Sequence, residues 1–185
     1  MTLDGIIKIL DKYREDKPMF GIEQEFFISQ KGIVVAFEND KQLPAPQRDY
    51  YCGIGGSSIT QRKIVEEAFQ NCRKAGLGIT GLNAEVAPSQ WEFQVCAVGI
   101  NAADELIMLR YITQRTLELQ GLDMDISPKP VKGDWNGSGC HVNFSTEKMR
   151  SEGGLSHIMA GINCLEKHHD LCMKNYGTGN EERLT

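Results

Sequence analysis

The stretch GLNAEVAPSQWEFQV, residues 81–95, decides the fold, because it predicts two strands joined by a turn. Pro88 and Ser89 mark the turn, since proline has no amide hydrogen to offer a central strand. Side chains alternate between the two faces of a strand. If the strands pair as a hairpin with their apolar sides together, Glu85 and Glu92 share the opposite, polar face.

Two further segments repeat this pattern of acidic or imidazole groups opposite an apolar row. Glu23 and Glu25 are two residues apart in a predicted strand over residues 20–29, so they point the same way. His141 and Asn143 share a face of a third predicted strand. An ordinary solvated face would include lysines, yet lysine and arginine are missing from all three segments. We therefore predict that four glutamates and a histidine converge on one face of one sheet.

Such a convergence predicts a metal site. Like charges held close together raise one another's pKa and destabilise the fold. A divalent cation relieves this repulsion, and carboxylate oxygens are hard ligands suited to Mg²⁺ or Mn²⁺. Taken singly, each carboxylate also fits a solvated strand face, and His141 also fits a packed histidine. Their joint occurrence is what favours the metal site.

The remaining pattern predicts a single α+β domain with a mainly antiparallel sheet. Apolar residues at helical spacing predict helices over residues 3–13, 60–75, 101–120 and 155–176, with the last one the longest. Further predicted features are a second strand over residues 33–37, a short strand or turn at 50–58, an extended edge segment at 126–132, and an unordered tail at 178–185. Gly53-Ile54-Gly55-Gly56 is a weak phosphate-loop candidate, because it lacks the lysine and the spacing of the known fingerprints.

Composition narrows the class of protein. The 185 residues carry a net charge of −5, which argues against nucleic acid as the main partner. No apolar run is long enough to span a bilayer, and the acidic, amphipathic start of the chain is unlike a signal peptide. The six cysteines form no Cys-x-x-Cys pair. These features predict a cytoplasmic protein with reduced thiols.

Four segments resemble one known family, the type II, or eukaryotic-type, glutamine synthetases. They are FGIEQE at 20–25, YYCG at 50–53, NAEV with QWEFQ between 83 and 94, and WNGSGCHVNFS at 135–145. They occur in the family's order and at nearly its spacing, and the likeness runs from about residue 17 to residue 185. The resemblance implies the curved, mainly antiparallel sheet with flanking helices of that family's catalytic domain.

The resemblance also implies an activity. It is that of an ATP-dependent glutamate–ammonia ligase, which makes glutamine through a γ-glutamyl phosphate with Mg²⁺ or Mn²⁺, in a homo-oligomer or with a complementing chain. The metal positions it implies are Glu23, Glu25, Glu85, Glu92 and His141. The nucleotide positions are Glu23, Glu92, Asn143, Phe144 and Ser145, and the glutamate positions are Trp135, Asn136, Gly137 and Arg183.

Subunits of that family are longer at both ends. From this we expect the chain to lack the family's small N-terminal β domain, its catalytic acid and several of its arginines, so that it makes little γ-glutamyl hydroxamate by itself. Two alternatives stay open at the level of sequence. One is a non-catalytic remnant that binds divalent metal or nucleotide, and the other is a related ligase that joins a carboxylate to another amine.

Overall fold

The structure, a computed structural model, describes residues 2–38, 44, 49–56 and 59–183. Its helices are α1 (Leu3–Lys12), α2 (Arg62–Lys74), α3 (Asn101–Glu118), α4 (Glu147–Arg150), α5 (Leu155–Lys167), α6 (His169–Asn175) and α7 (Asn180–Arg183). Its strands are β1 (Met19–Gln30), β2 (Ile33–Val34), β3 (Ile79–Ala84), β4 (Gln90–Val98), β5 (Asp123–Asp125) and β6 (Cys140–Ser145).

The long strand β1 is the centre of the sheet. One of its edges pairs with β4 and then with β2, while the other edge pairs with β6 and then with β5. Strand β3 continues the sheet beyond β4, and every pairing is antiparallel. The predicted hairpin of residues 81–95 is therefore confirmed as the pair β3–β4.

Helices α2 and α3 cover one face of the sheet and form the core with it. Trp91 and Phe93 of β4 are almost fully buried there, and the ring of Phe93 contacts Phe26 of β1 and Phe69 of α2 at centroid distances of 5.3 and 6.0 Å. Burial of such aromatic side chains is a dominant stabilising term. The fold is thus an antiparallel sheet with flanking helices, as the sequence predicts, and its other face is left for polar side chains.

The prediction of one long helix over residues 155–176 is wrong. The segment forms two helices, α5 and α6, that meet at His168, and the longest helix is α3 with 18 residues. The Nδ1 atom of His168 lies 2.9 Å from the carbonyl oxygen of Cys164. The backbone of His168 has φ −115° and ψ 15°, outside the helical range, and α5 ends there.

Three shorter predictions also need correction. The paired edge strand is β5 at Asp123–Asp125, whereas residues 126–132 form no strand, because Pro128 and Pro130 cannot donate to a ladder. The predicted strand at 33–37 shrinks to Ile33–Val34. The described part of 50–58 forms turns, which is one of the two forms predicted for it and needs no correction. Residues 180–183 of the predicted unordered tail form helix α7, whereas residues 184 and 185 lie outside the described range.

None of the helices in the described ranges is long and apolar enough to cross a membrane.

Candidate metal centre

The strand register brings the predicted acidic residues onto one face. Glu25 of β1 lies directly opposite Glu92 of β4, and Asn83 of β3 lies opposite Glu92 on the far side. Glu23 pairs with His141 of β6. Because residues that pair across antiparallel strands point to the same side, these side chains share the face that helices α2 and α3 leave open.

Three carboxylates form the tightest group. Ligand atoms of Glu25, Glu85 and Glu92 all lie within 4.8 Å of one another. Glu85 follows the last residue of β3, and Glu85 and Glu92 are only 6% and 7% exposed. Three acidic oxygens at such distances fit a hard divalent cation better than any other common occupant.

Electrostatics in the group favour a positive charge at its centre. Burial, together with the charges of Glu25 and Glu92, raises the pKa of Glu85 to about 7, although hydrogen bonds from Val86 N–H and Asn83 act in the opposite direction. Burial also raises the pKa of Glu92, and the charge of Glu25 adds to this rise. The cost of holding these groups ionised falls when a cation binds between them.

Each of the four glutamates on this face accepts a hydrogen bond from a different side-chain amide. The pairs are Asn143 to Glu23 at 2.6 Å, Gln90 to Glu25 at 3.2 Å, Asn83 to Glu85 at 3.0 Å, and Gln94 to Glu92. A carboxamide donor orients a carboxylate without neutralising it. These hydrogen bonds therefore hold the ligand atoms in place without adding a positive charge to the face.

Two of the five predicted metal residues lie outside the tight group. Glu23 is half-buried at the β6 edge of the face, and His141, its cross-strand partner, is exposed. Their positions extend the cluster towards β6. They are suited to a second cation or to a ligand that enters from that side.

The β6 residues that are predicted to bind the nucleotide are divided between the two faces of the sheet. Asn143 lies on the acidic face, where its amide holds Glu23. Phe144 points to the other face, where its ring lies 5.3 Å from that of Phe20. Ser145 ends the strand and accepts two hydrogen bonds of 2.8 Å from Arg150. Of these three side chains, only that of Asn143 joins the carboxylates.

The residues predicted to bind the substrate glutamate, apart from Arg183, lie in a loop beside the acidic face. The ring of Trp135 packs edge-on against Phe37 at 4.9 Å. The Asn136 amide and the Gly137 carbonyl both meet the side chain of Gln90, at 3.3 and 3.1 Å. The loop is thus joined directly to the strand that carries Glu92.

Arg183 of helix α7 approaches the same loop. A Cβ atom at Gly139 would lie 2.9 Å from a guanidinium nitrogen of Arg183 and 3.4 Å from Glu25 Oε1, so glycine is what allows this approach. The residues Glu23, Glu25, His141 and Arg183 line one cavity of about 680 Å³. Ser138 lines it as well, and its buried hydroxyl has no hydrogen-bond partner among the described residues. A free buried hydroxyl beside such a cavity suits a polar ligand.

Sequence reasoning missed two glutamines, Gln24 and Gln90, that support the site from neighbouring strands. Gln24, which breaks the apolar row of β1, is buried on the helix side, where its carbonyl oxygen accepts from Arg110 of α3. Gln90 shares a face with Glu92 in the strand pattern, which was the available signal, but its contacts depend on how distant segments meet. An isolated polar residue in an apolar row was the signal for Gln24.

Comparison with known proteins shows the family of the chain. Residues 6–159 match the family described as "Glutamine synthetase, catalytic domain". A glutamine synthetase of Fusarium solani subsp. phaseoli is 44% identical over 180 residues, covering 97% of this chain and 51% of that protein. Glutamine synthetase N-1 of Phaseolus vulgaris is 47% identical over 173 residues, covering 92% of this chain and 48% of that protein.

A solved structure described as a novel glutamine synthase homolog shares the fold. It has a TM-score of 0.58 and 18% identity, over 77% of this chain and 31% of the other. The antiparallel sheet with flanking helices is thus the fold of a glutamine synthetase homologue. The family match goes further, and the chain belongs to the glutamine synthetase catalytic-domain family. It spans about half the length of the curated relatives it matches.

Proposed function

We propose that the protein works in ATP-dependent ligation of ammonia to glutamate, and that its acidic face holds the divalent cations of that reaction. The observation that carries the proposal is the approach of Glu25, Glu85 and Glu92 ligand atoms to within 4.8 Å. Family membership supports the reaction class. The absence of lysine and arginine from the three strand segments that carry the acids supports a site that attracts cations.

The proposed reaction brings two anions together. The γ-carboxylate of glutamate attacks the γ-phosphate of ATP, which gives γ-glutamyl phosphate and ADP, and ammonia then displaces phosphate to form glutamine. Mg²⁺ or Mn²⁺ would supply the charge neutralisation that this approach requires. We assign its ligands to Glu23, Glu25, Glu85, Glu92 and His141.

The chain's own residues would bind and orient the two substrates. Asn143 and the strand segment from Glu92 are assigned to the nucleotide, together with Phe144 and Ser145. Trp135, Asn136 and Gly137 are assigned to glutamate. The guanidinium of Arg183 beside Gly139 suits a carboxylate, because its planar fork can bind both oxygens. The unpaired hydroxyl of Ser138 supports a polar occupant of the cavity.

Binding of ATP tests the proposal directly. In calorimetry, ATP should bind the 185-residue chain only when Mg²⁺ is present, and the double variant Glu85→Ala with Glu92→Ala should lose that binding. Equal ATP affinity with and without Mg²⁺ would contradict the proposal. The control variant Glu118→Ala removes an exposed acid of α3, and it should bind ATP as the wild type does.

Product analysis distinguishes the reaction from its alternatives. The protein is incubated with Mg²⁺, ATP and glutamate in the presence of hydroxylamine or of other amines. Formation of γ-glutamyl hydroxamate identifies the glutamine synthetase reaction, and a product with a different amine alone identifies a related ligase. Metal-dependent ATP binding without any product excludes turnover by the 185-residue chain alone, which is the outcome expected of a non-catalytic binding role and of a synthetase portion that needs a complementing chain.

We also propose a cytoplasmic location. All six cysteines are free, and three of them, Cys52, Cys140 and Cys164, are exposed. Free thiols at a surface persist in a reducing compartment. Cell fractionation tests this, and recovery of the protein from an oxidising compartment would contradict it.

A further inference from the structure

The side-chain amide of Gln90 lies where the acidic face meets the loop of residues 135–139. Its Nε2 donates to Glu25 Oε2 at 3.2 Å and to the Gly137 carbonyl at 3.1 Å. Its Oε1 accepts from Ala87 N–H at 3.2 Å and from the Asn136 amide at 3.3 Å. A carboxamide has two donors and two acceptor sites, so all of its hydrogen-bonding capacity is used.

Burial makes these four hydrogen bonds matter. Gln90 is only 1% exposed, so water has little access to replace a lost partner. Removing one member of a buried hydrogen-bonded set leaves the others unsatisfied. The position of Gln90 therefore depends on both Glu25 and the loop, and each of them depends on Gln90.

The loop reaches Glu25 by a second contact at the same atom. The Gly139 N–H donates to Glu25 Oε2 at 2.7 Å, beside the donor from Gln90. Two donors on one carboxylate oxygen fix the orientation of the whole group. Any change in the position of this carboxylate is passed to Gly139 directly and to Gly137 through Gln90.

We propose that Gln90 is a positioning residue that couples cation binding at Glu25 to the conformation of residues 135–139. The coupling to a cation rests on the proposed function, whereas the hold of Gln90 on the loop does not. A cation on Glu25 pulls on a carboxylate that the Gln90 amide also holds. The loop proposed to receive glutamate is thereby set in its binding position when the metal site is filled.

The hold on the loop is tested in the metal-free protein. Gln90→Met keeps the length of the side chain and removes every donor and acceptor. In the full chain with a chelator, we expect the Gly139 amide to exchange its hydrogen about ten times faster in this variant, since its acceptor Glu25 loses a second donor and one hydrogen bond is worth about that factor. Gln114→Met is the matched control, because Gln114 bridges Asp123 and Met124 through its amide outside the site. It should leave Gly139 exchange unchanged.

The coupling is tested with 5-fluorotryptophan, because the chain has two tryptophans. Trp91 lies in the core and Trp135 lies in the loop, and the variant Trp135→Phe assigns their ¹⁹F signals. In the wild type, Mg²⁺ should shift the Trp135 signal and leave that of Trp91 in place. In Gln90→Met, Mg²⁺ affinity should fall roughly 10-fold to 100-fold, as for other partners that orient metal ligands. At saturating Mg²⁺ the Trp135 shift should be lost.

Gln90→Asn is a second variant that keeps the test possible if Gln90→Met does not fold. It keeps the carboxamide and shortens its reach by one methylene, so we expect the same loss of the Trp135 shift in a folded chain. Mg²⁺ binding with an unchanged Trp135 signal in the wild type would overturn the coupling and leave the proposed function intact. Absence of Mg²⁺ binding to the wild type would overturn both the metal site and the coupling. Unchanged Gly139 exchange in folded Gln90→Met would overturn the hold on the loop.

Discussion

Glu25 and Glu92 lie directly opposite each other in the paired strands β1 and β4. Like charges in such a pair destabilise a sheet. The structure adds Glu85 to the pair instead of a lysine or an arginine, and it buries both Glu85 and Glu92. An arrangement that costs stability in the free protein and is relieved by a cation is what a metal site requires.

The first prediction concerns pH. The folded-state pKa of Glu85 is about 7, above its ordinary value of 4.5, so folding favours the protonated form. Stability from this group is fully present below about pH 4.5 and is lost as pH rises through 7. We expect Glu85 to make the free energy of unfolding on the order of 3 kcal/mol larger near pH 5 than near pH 8. Urea denaturation in the presence of a chelator measures this difference.

Glu85→Gln provides the comparison for that measurement. The amide is nearly the same size and does not titrate in this range, so the difference between pH 5 and pH 8 should shrink. An equal pH dependence in Glu85→Gln and the wild type would show that another group carries it.

The second prediction concerns Gly81. A Cβ atom at this position would collide with Gln94 Oε1. Gln94 donates to Glu92 and, at 2.6 Å, to Asn83, so moving it disturbs two partners in the amide shell. Gly81→Ala should therefore weaken Mn²⁺ binding roughly 10-fold or more in titration calorimetry, with the fold retained.

Gly56→Ala is the control for Gly81→Ala, because a Cβ atom there meets nothing within 4 Å. It should bind Mn²⁺ as the wild type does. Wild-type affinity in Gly81→Ala as well would show that the position of Gln94 does not matter to the metal.

The third prediction concerns the core behind the acidic face. Phe93 lies between Glu92 and Gln94 in sequence but points to the opposite face, where it is fully buried against Phe26 and Phe69. Phe93→Ala should lower the free energy of unfolding by about 3–5 kcal/mol. Urea denaturation measures this loss.

Phe144→Ala is the matched control for the core, since Phe144 is half exposed on strand β6. Its effect on the free energy of unfolding should be about 1 kcal/mol or less. Similar losses in Phe93→Ala and Phe144→Ala would contradict the placement of Phe93 in the buried core.

The fourth prediction concerns self-association. Within the described residues, β6 pairs with β1 alone, and Val142 on this strand is 50% exposed. An open strand edge is a template for pairing with a second copy of the chain. Light scattering should show a mass that rises with concentration, and Val142→Lys should reduce the rise. A monomer at every concentration would contradict this prediction.

The alternation of residues 81–95 was enough to predict the central hairpin and the face that Glu85 and Glu92 share. A period of two is a local property, and burial of one face fixes the strand register. The break at His168 was not predictable in this way, because it lies in the backbone angles of a single residue. Helical periodicity alone continues through it.

The contacts of Gln90 and Arg183 also lay beyond the sequence pattern. Gln90 meets Asn136 and Gly137 because a loop distant in sequence folds over β4. Arg183 reaches Gly139 because residues 180–183 form a helix rather than an unordered tail. Such long-range meetings follow from tertiary packing, which local periodicity does not encode.

The thermal effect of Mn²⁺ tests the metal site most directly. A ligand that binds only the folded chain raises its melting temperature. We predict that Mn²⁺ raises the melting temperature of the wild type, and that Glu85→Ala with Glu92→Ala abolishes this rise. The same rise in the double variant as in the wild type would contradict the site.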